Sequence, residues 1–553
     1  MSLAEELRTV IQGEVDDTSP TLDTYSRDAS LFTVRPSVVV RPKDVADVQA
    51  LVRFVAKEKE RGRPLSLTAR GAGTDMSGGP LTDSIVVDMT AHFTKIHEVG
   101  EDGKGGYAIV DPGVYFRDFD KETKKRGFEL PSYTASRDLC TVGGMVANDS
   151  GGERHLKYGK TARYVEELQV VLADGEVYTL KLRTAGDLET MRMSPNFEGR
   201  VSAKVGELVW KNQETIQTSR PGVVKNSSGY ALWDIGNGND SLNLARLFVG
   251  SQGTFGIITK ITFRLVRPKP YASMAVVFVN NIAELGSLVP AVLSHQPDSF
   301  ESYDDHTFAL AAKYFPEFAL QMRSNLLSLG LSFLPEVWRL ITNGIPKLVL
   351  LVEFRGDHQR EALSRAEALI RTLKASGRTG GLFLARSERE ARKYWVVRHE
   401  SFNLLRKKVR GLRTAPFIED FVVPPSDLPE FLPRLNSILA EYDLTYTIAG
   451  HVGDGNFHII PLIDPQRKDG EALIRELSER VYGLVLSYRG SISGEHNDGY
   501  VRTPYVERMF GPAMTDLFEA VEAIFDPQDI FNPGKKVVRG DVDPFEHLDL
   551  PSA

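Results

Sequence analysis

Arg70-Gly-Ala-Gly-Thr-Asp-Met-Ser-Gly-Gly79 follows a short apolar run, Leu65-Ser-Leu-Thr68, in the position a dinucleotide-binding turn takes. Met76, however, stands where the third glycine of G-x-G-x-x-G belongs, and Gly78-Gly79-Pro80 prevents a helix from starting. A Rossmann turn is thereby set aside. Successive small residues can still point their backbone N–H groups inward as a nest for a pyrophosphate, without a helix dipole. The expectation is a phosphate-binding loop of another fold. Gly159-Lys160-Thr161 looks like the end of a nucleotide-triphosphate loop, but the earlier glycine it needs is Arg154.

Further small-residue clusters follow: Thr141-Val-Gly-Gly-Met145, Asn148-Asp-Ser-Gly-Gly152 and Gly250-Ser-Gln-Gly-Thr-Phe-Gly-Ile257. Each alone reads as a turn, but together with the first loop they suggest a long ligand threaded against backbone. Around them, β-branched runs at Ser37-Val-Val-Val-Arg41 and Ile85-Val-Val-Asp88 flank a helical pattern from Asp44 to Lys59. Arg267-Pro-Lys-Pro270 breaks both helix and central strand, so a first domain is placed at residues 1–270. Strand-like Ala275-Val-Val-Phe-Val279, Leu348 to Phe354 and Thr445-Tyr-Thr-Ile448 then alternate with amphipathic helices, which gives an α+β second domain over 271–500. Residues 501–553 form a short last segment ending in Phe525-Asp-Pro-Gln-Asp-Ile-Phe-Asn-Pro-Gly534. Phe315 to Ile341 is apolar-rich and reads as helices packing on the second domain, with a lid or membrane-facing patch as the alternative.

At 553 residues with 42% hydrophobic content, the chain is too long for one ordinary core. Net charge is −7, from 67 basic and 74 acidic residues that are well mixed, so no basic stripe proposes nucleic acid. Cys140 is the only cysteine, which leaves no internal disulfide and no Cys-ligated iron–sulfur cluster within these residues. MSLAEELRTVIQGEVDD has acidic residues where a signal peptide needs a positive region, and no apolar run reaches the ~18 residues that span a bilayer. The expected location is cytoplasmic, with peripheral attachment to the inner face of the membrane as the alternative.

His451-Val-Gly-Asp-Gly-Asn-Phe-His458 and Gly494-Glu-His-Asn-Asp-Gly499 carry the chemistry. Gly-Asp-Gly-Asn is a poor helix, so a turn between strand ends would bring the two imidazoles to one point. Glu495 adds an oxygen ligand, and three protein ligands leave positions open for substrate. His496 then offers an adjacent proton acceptor. The competing reading is a set of hydrogen-bonded core histidines.

The order RGAGTDMSGG, CTVGGMVANDSGG, KYGKTARYVEELQVVLADG and GSQGTFGIITKITFRL resembles the FAD-binding domain of the vanillyl-alcohol oxidase/p-cresol methylhydroxylase (PCMH-type) family. HVGDGNFH, GEHNDG and FDPQDIFNPGK are similar to the C-terminal domain of its D-lactate dehydrogenase, glycolate oxidase and D-2-hydroxyglutarate dehydrogenase branch. The resemblance implies an α+β fold. It has a two-part α/β FAD-binding domain, a cap domain with an antiparallel sheet, and a C-terminal segment that returns to the flavin. By the same resemblance, Arg70, Gly71, Ala72, Gly73, Thr74, Asp75, Ser77 and Gly78 would hold the FAD pyrophosphate. Ser136, Thr141, Gly143, Gly144, Asn148 and Gly151 would line the isoalloxazine side, with Gly253 and Ile257 nearby and Asn532 closing from the C-terminal segment. No histidine lies in the first loop and Cys140 precedes the Thr-Val-Gly-Gly turn, so noncovalent FAD is expected.

In that branch the residues matching His451, His458 and Glu495 look like ligands to zinc or manganese, and His496 like the general base. Arg398, in Trp395-x-x-Arg398, would bind a substrate carboxylate, with an ion pair to Glu400 or Glu419 as the alternative. Two departures stand out. Gly-Glu-His-Asn-Asp-Gly replaces the more common Gly-Glu-His-Gly-Ile-Gly, as in large relatives that carry an iron–sulfur domain, and Phe417-Ile-Glu-Asp420 lacks a lysine found elsewhere in the branch. The expected activity is oxidation of a small 2-hydroxy acid to the 2-oxo acid, with electrons passing to a quinone, an electron-transfer flavoprotein or a separate iron–sulfur subunit. A homodimer is compatible with this reading. The alternatives are a flavin oxidase of another alcohol using oxygen and, in a different class, a zinc hydrolase built on the same triad.

Overall fold

A computed structural model describes residues 1–307, 344–377, 381–408, 411–539 and 543–550, and the side chains of 399–408 and 544 are not among those described. The apolar stretch Phe315 to Ile341 lies outside the described residues.

Three sheets make up the scaffold. The first has the strand order Glu14–Asp16, Val38–Arg41, Ile85–Asp88, Leu67–Arg70, and its last three strands run parallel. Val38, Val39, Val40, Ile85, Val86 and Val87 are all fully buried, so these runs are apolar throughout rather than alternating. The crossover helix Val45–Glu60 is capped by Asp44, whose carboxylate accepts the N–H groups of Ala46 and Asp47. Strand Leu67–Arg70 ends at the first glycine-rich loop, and the carboxyl ends of parallel strands are where such sheets receive ligands.

The second sheet is antiparallel and six-stranded, in the order Ile96–Asp102, Gly105–Val110, Ile257–Leu265, Val165–Val171, Val177–Thr184, Ser241–Asn243. Along Ile257–Leu265 the odd-numbered residues are buried and the even-numbered ones half-buried. The change of sheet falls between Leu265 and Tyr271, across the proline pair Pro268 and Pro270.

The third sheet is antiparallel and eight-stranded. Its strands Thr445–His451 and Asn456–Ile463 pair with His451 opposite Asn456 and Ala449 opposite His458. Because side chains alternate along each strand, this register sets His451 and His458 on the same face as diagonal neighbours. The connection is a tight turn closed by Gly455 at φ +71°. The two histidines are therefore joined across a hairpin, not along a helix.

The C-terminal segment returns to the first domain. Helix Pro512–Phe525 buries Met514, Phe518, Val521 and Phe525 in the core that surrounds the second sheet, packed on helix Phe197–Lys211 and on Phe248 and Phe255. Beyond it, the Leu67 N–H donates to the Ile530 carbonyl at 2.7 Å and the Asn532 N–H to the Leu67 carbonyl at 3.0 Å, which extends the first sheet by one short edge.

Candidate active site

One cavity of about 610 Å³ runs from the first glycine-rich loop to the histidine hairpin. Arg70–Met76, Ser136, Thr141, Gly143, Gly144, Asn148, Gly151 and Gly253 line one arm, while Glu301, Arg398, His451, His458, Glu495 and His496 line the other. The volume is that of a small-molecule or cofactor site.

The first arm is walled by backbone. Gly73 has φ +67°, and a Cβ there would lie 2.4 Å from Arg70 Nη2. Asp75 stitches the loops together. Its Oδ2 accepts from the N–H groups of Ser77 and Gly79 at 3.0 and 2.8 Å, and its Oδ1 from Asn148 Nδ2 at 2.7 Å. Where the arms meet, a Cβ on Gly151 would stand 3.3 Å from Glu495 Oε1.

The second arm is built from side chains. His451 Nε2 lies 3.3 Å from Glu495 Oε1, and His458 Nε2 lies 3.8 Å from Glu495 Oε2. The three residues offer ligand atoms all within 4.8 Å of one another. His451 Nδ1 is held by Glu301 Oε1 at 2.6 Å, the outer carboxylate that commonly orients a ligating imidazole. Lys225, fully buried, pairs with Glu495 and donates to Asn456 Oδ1 at 2.9 Å. His496 Nδ1 meets Glu419 Oε2 at 2.5 Å. The rings of His458 and His496 are stacked with centroids 5.2 Å apart.

Burial and neighbouring carboxylates set the charge on these rings. Burial works against a charged ring, yet the Glu301 carboxylate pushes His451 up to about 9. Burial likewise opposes charge on His496, but Glu419 and Asp420 push it up to about 10. In His458 burial prevails and the pKa falls. Glu495 is held well below the usual carboxylate range against burial, by Lys225 and His451. The carboxylates thus favour a proton on His451, where a divalent ion among nitrogen and oxygen ligands would take its place, and the charge of such an ion beside His496 would oppose the proton that Glu419 and Asp420 draw onto that ring. The donor set fits zinc or manganese. Glu419, His458 and His496 form a second close group, but there Glu419 is already committed to Arg502 at 2.5 Å.

Residues 36–181 match the FAD binding domain family, and residues 269–536 match the FAD linked oxidases, C-terminal domain. The chain belongs to the FAD-linked oxidoreductases. This oxidoreductase is 28% identical to the D-2-hydroxyglutarate dehydrogenase of Pseudomonas putida over 527 residues, 95% of this chain and 50% of that protein. It is 28% identical to the D-lactate dehydrogenase of Archaeoglobus fulgidus, over 97% of this chain and 99% of that one. With glycolate oxidase subunit GlcD of Bacillus subtilis the identity is 27%, over 94% and 93%. The chain spans about half the length of the D-2-hydroxyglutarate dehydrogenases of Pseudomonas putida and Escherichia coli. The crystal structure of p-cresol methylhydroxylase with substrate bound superposes with TM-score 0.68 at 17% identity, covering 98% of this chain and 97% of that one. Alkyldihydroxyacetonephosphate synthase gives 0.64 at 15% identity, covering 96% and 84%. The fold is shared with both.

Several residues of the oxidoreductase stand differently from the sequence reading. Ile257 lies in the core, because its strand alternates and Ile258 takes the cavity side. Ser77 and Gly78 are turned off the cavity wall: the Ser77 carbonyl accepts the N–H groups of Tyr500 and Val501 at 2.8 and 3.2 Å. The Arg70 guanidinium is spent on the carbonyls of Tyr25 and Arg27, at 3.0 and 2.5 Å, so only the rest of that residue faces a ligand. Asn532 does not line the cavity. Its amide donates to the carbonyls of Gly79 and Gln252 at 2.9 and 2.7 Å and clasps two loops from behind. Arg398 pairs with Glu301 at 3.2 Å. The side chain of Glu400 lies outside the described residues, and Glu419 is engaged with His496 and Arg502.

Sequence reasoning missed Glu301, Glu419 as a partner of His496, Lys225 and Arg502. Lys225 opens Lys-Asn-Ser-Ser-Gly-Tyr230, a small polar cluster of the same kind as the flagged loops and the one available signal.

No described helix is long and apolar enough to cross a membrane.

Proposed function

We propose that this oxidoreductase oxidises a small 2-hydroxy acid of the D-lactate, glycolate or D-2-hydroxyglutarate type to the 2-oxo acid. The observation that carries the reading is the single cavity shared by the glycine-walled loops and the His451, His458, Glu495 group. When bound, noncovalent FAD supplies the acceptor for the C2 hydride, and a zinc or manganese ion supplies the charge that lowers the pKa of a coordinated hydroxyl.

The chain's own residues do the rest. His451, His458 and the Glu495 carboxylate would hold the ion. His496 takes the hydroxyl proton at Nε2, since Nδ1 is occupied by Glu419, and such positioned transfer contributes about 10²–10⁴-fold. Arg398 faces the same cavity with a buried Nε that has no hydrogen-bond partner among the described residues, a spare donor for the substrate carboxylate. The electrons would pass on to a quinone, an electron-transfer flavoprotein or an iron–sulfur centre.

Anaerobic mixing with a panel of D- and L-2-hydroxy acids tests this. Flavin bleaching by at least one of them, with the 2-oxo acid formed in equal amount, is expected. A flavin that none of them reduces, in protein that holds its metal, overturns the reading. Acid precipitation should release the flavin into the supernatant.

A further inference from the structure

Glu419 and Asp420 are consecutive, fully buried, and both directed at His496, but they grip different parts of it. The Asp420 carboxylate takes backbone: Oδ2 accepts the N–H groups of Glu495 and His496 at 2.9 and 2.7 Å, together with Ser493 Oγ at 2.8 Å. Asp420 holds this pose at φ +78°, a conformation rare for a residue with a side chain and typical of sites where geometry is imposed. Glu419 takes the ring, with Oε2 at 2.5 Å from His496 Nδ1. Its other oxygen, Oε1, lies 2.5 Å from Arg502 Nη2. The same Nη2 donates to the Glu419 carbonyl at 2.5 Å, and Arg502 Nη1 to the Asn497 carbonyl at 2.9 Å. Arg502 is itself fully buried, as is Glu419, so the contact between them is closed to solvent while the half-buried His496 ring faces the cavity.

We propose that Glu419, braced by Arg502, is the positioning residue of the base: it fixes the His496 ring with Nε2 toward the substrate hydroxyl and stabilises the imidazolium formed when the proton arrives. The arrangement follows general carboxylate–imidazole logic, in which the far nitrogen is anchored so that the near one is left as the acceptor. It accounts for two features that packing leaves unexplained. An arginine is buried completely behind the site, and Glu419 is bound on both oxygens by residues more than 70 positions away in sequence. Removing one member of a buried charge pair is costly, because it leaves the other charge buried without its partner. The inference rests on the reading of His496 as base, and the test separates the two.

The test compares Glu419→Gln, Glu419→Asp, His496→Asn and the double variant Glu419→Gln/Arg502→Met by anaerobic stopped-flow flavin reduction, with FAD and metal content measured on the same samples. Glu419→Gln, which keeps shape but not charge, should slow reduction at saturating substrate by roughly tenfold or more. Its FAD, its metal and the substrate concentration for half-saturation should stay near those of the parent. Glu419→Asp should recover part of the rate. The double variant removes both buried charges and should be as stable as the parent, or nearly so, while remaining slow. Fast reduction by Glu419→Gln beside slow His496→Asn overturns the positioning role alone. Fast reduction by His496→Asn overturns the base and the inference with it. A rate restored in the double variant, or a Glu419→Gln loss that tracks lost metal, reduces Glu419 to a counter-ion and also overturns the proposal.

Discussion

The two arms of the cavity recognise in opposite ways. The flavin arm presents backbone from segments that are each continuous in sequence, the loop Arg70–Met76 and the helix-bearing Thr141–Gly151 foremost, tied to one another by Asp75 and Asn148. The histidine arm presents side chains gathered from Glu301, Arg398, the hairpin at 451–458 and Glu495-His496, with Glu419 and Lys225 behind them. A backbone wall tolerates changes of residue that keep the chain's path and fails when a Cβ intrudes. A side-chain cluster fails by loss of single atoms, and its parts need not stay near one another in sequence.

If the arms are functionally separate, each can be broken alone. The largest effect is expected from His496→Asn: stopped-flow flavin reduction by the substrate should slow by ~10²-fold or more, with FAD and metal near normal. His458→Ala should lose the metal while the protein stays yellow, as elemental analysis and absorbance of one sample would show, and flavin lost together with the metal would mean the arms are one folding unit. Gly73→Val is the mirror case. A Cβ there would lie 2.4 Å from Arg70 Nη2 at a backbone angle valine resists, so flavin content should fall to near zero while metal is retained. Gly151→Ala probes the junction, where the added carbon would stand 3.3 Å from Glu495 Oε1, and should weaken both ligands modestly.

The smallest effect lies outside both arms. Burial is the main reason Glu522 is pushed up to about 7, while Tyr230 and Arg539 hydrogen-bond its carboxylate. A carboxyl raised in the folded state stabilises it most below the ordinary carboxylate range, and that contribution is lost as pH rises through 7. Melting temperatures from pH 4.5 to 8 should therefore fall less in Glu522→Gln than in the parent.

The sequence made the flavin arm legible because its determinants are local runs of small residues, although Thr141-Val-Gly-Gly-Met145, which alone reads as a turn, opens the helix Val142–Asn148. Strand parity set the limit there, since Ile257 and Ile258 differ by one position and occupy opposite faces. In the histidine arm the hairpin was readable from Gly-Asp-Gly-Asn, and its register brings His451 and His458 together. What stayed hidden were the partners supplied from distant parts of the chain. Glu301 meets His451 across 150 positions and Arg502 meets Glu419 across 83, and no local pattern marks either glutamate as more than an ordinary charged residue in a strand or loop.

Asn532 gives the molecule an order of assembly. Thr68 Oγ1 reaches Asn532 Oδ1 over 464 positions, and the same amide holds the carbonyls of Gly79 and Gln252 behind the flavin arm. On the ribosome the first sheet emerges long before its last edge, and at ~5–20 residues per second the gap is roughly 20 to 90 seconds. During that interval the glycine-rich loops have the Asp75–Asn148 tie but lack the clasp that Asn532 adds. Firm cofactor capture is thereby deferred until nearly the whole described chain has been made, and a chain cut short before Ile530 carries its flavin loops unclasped.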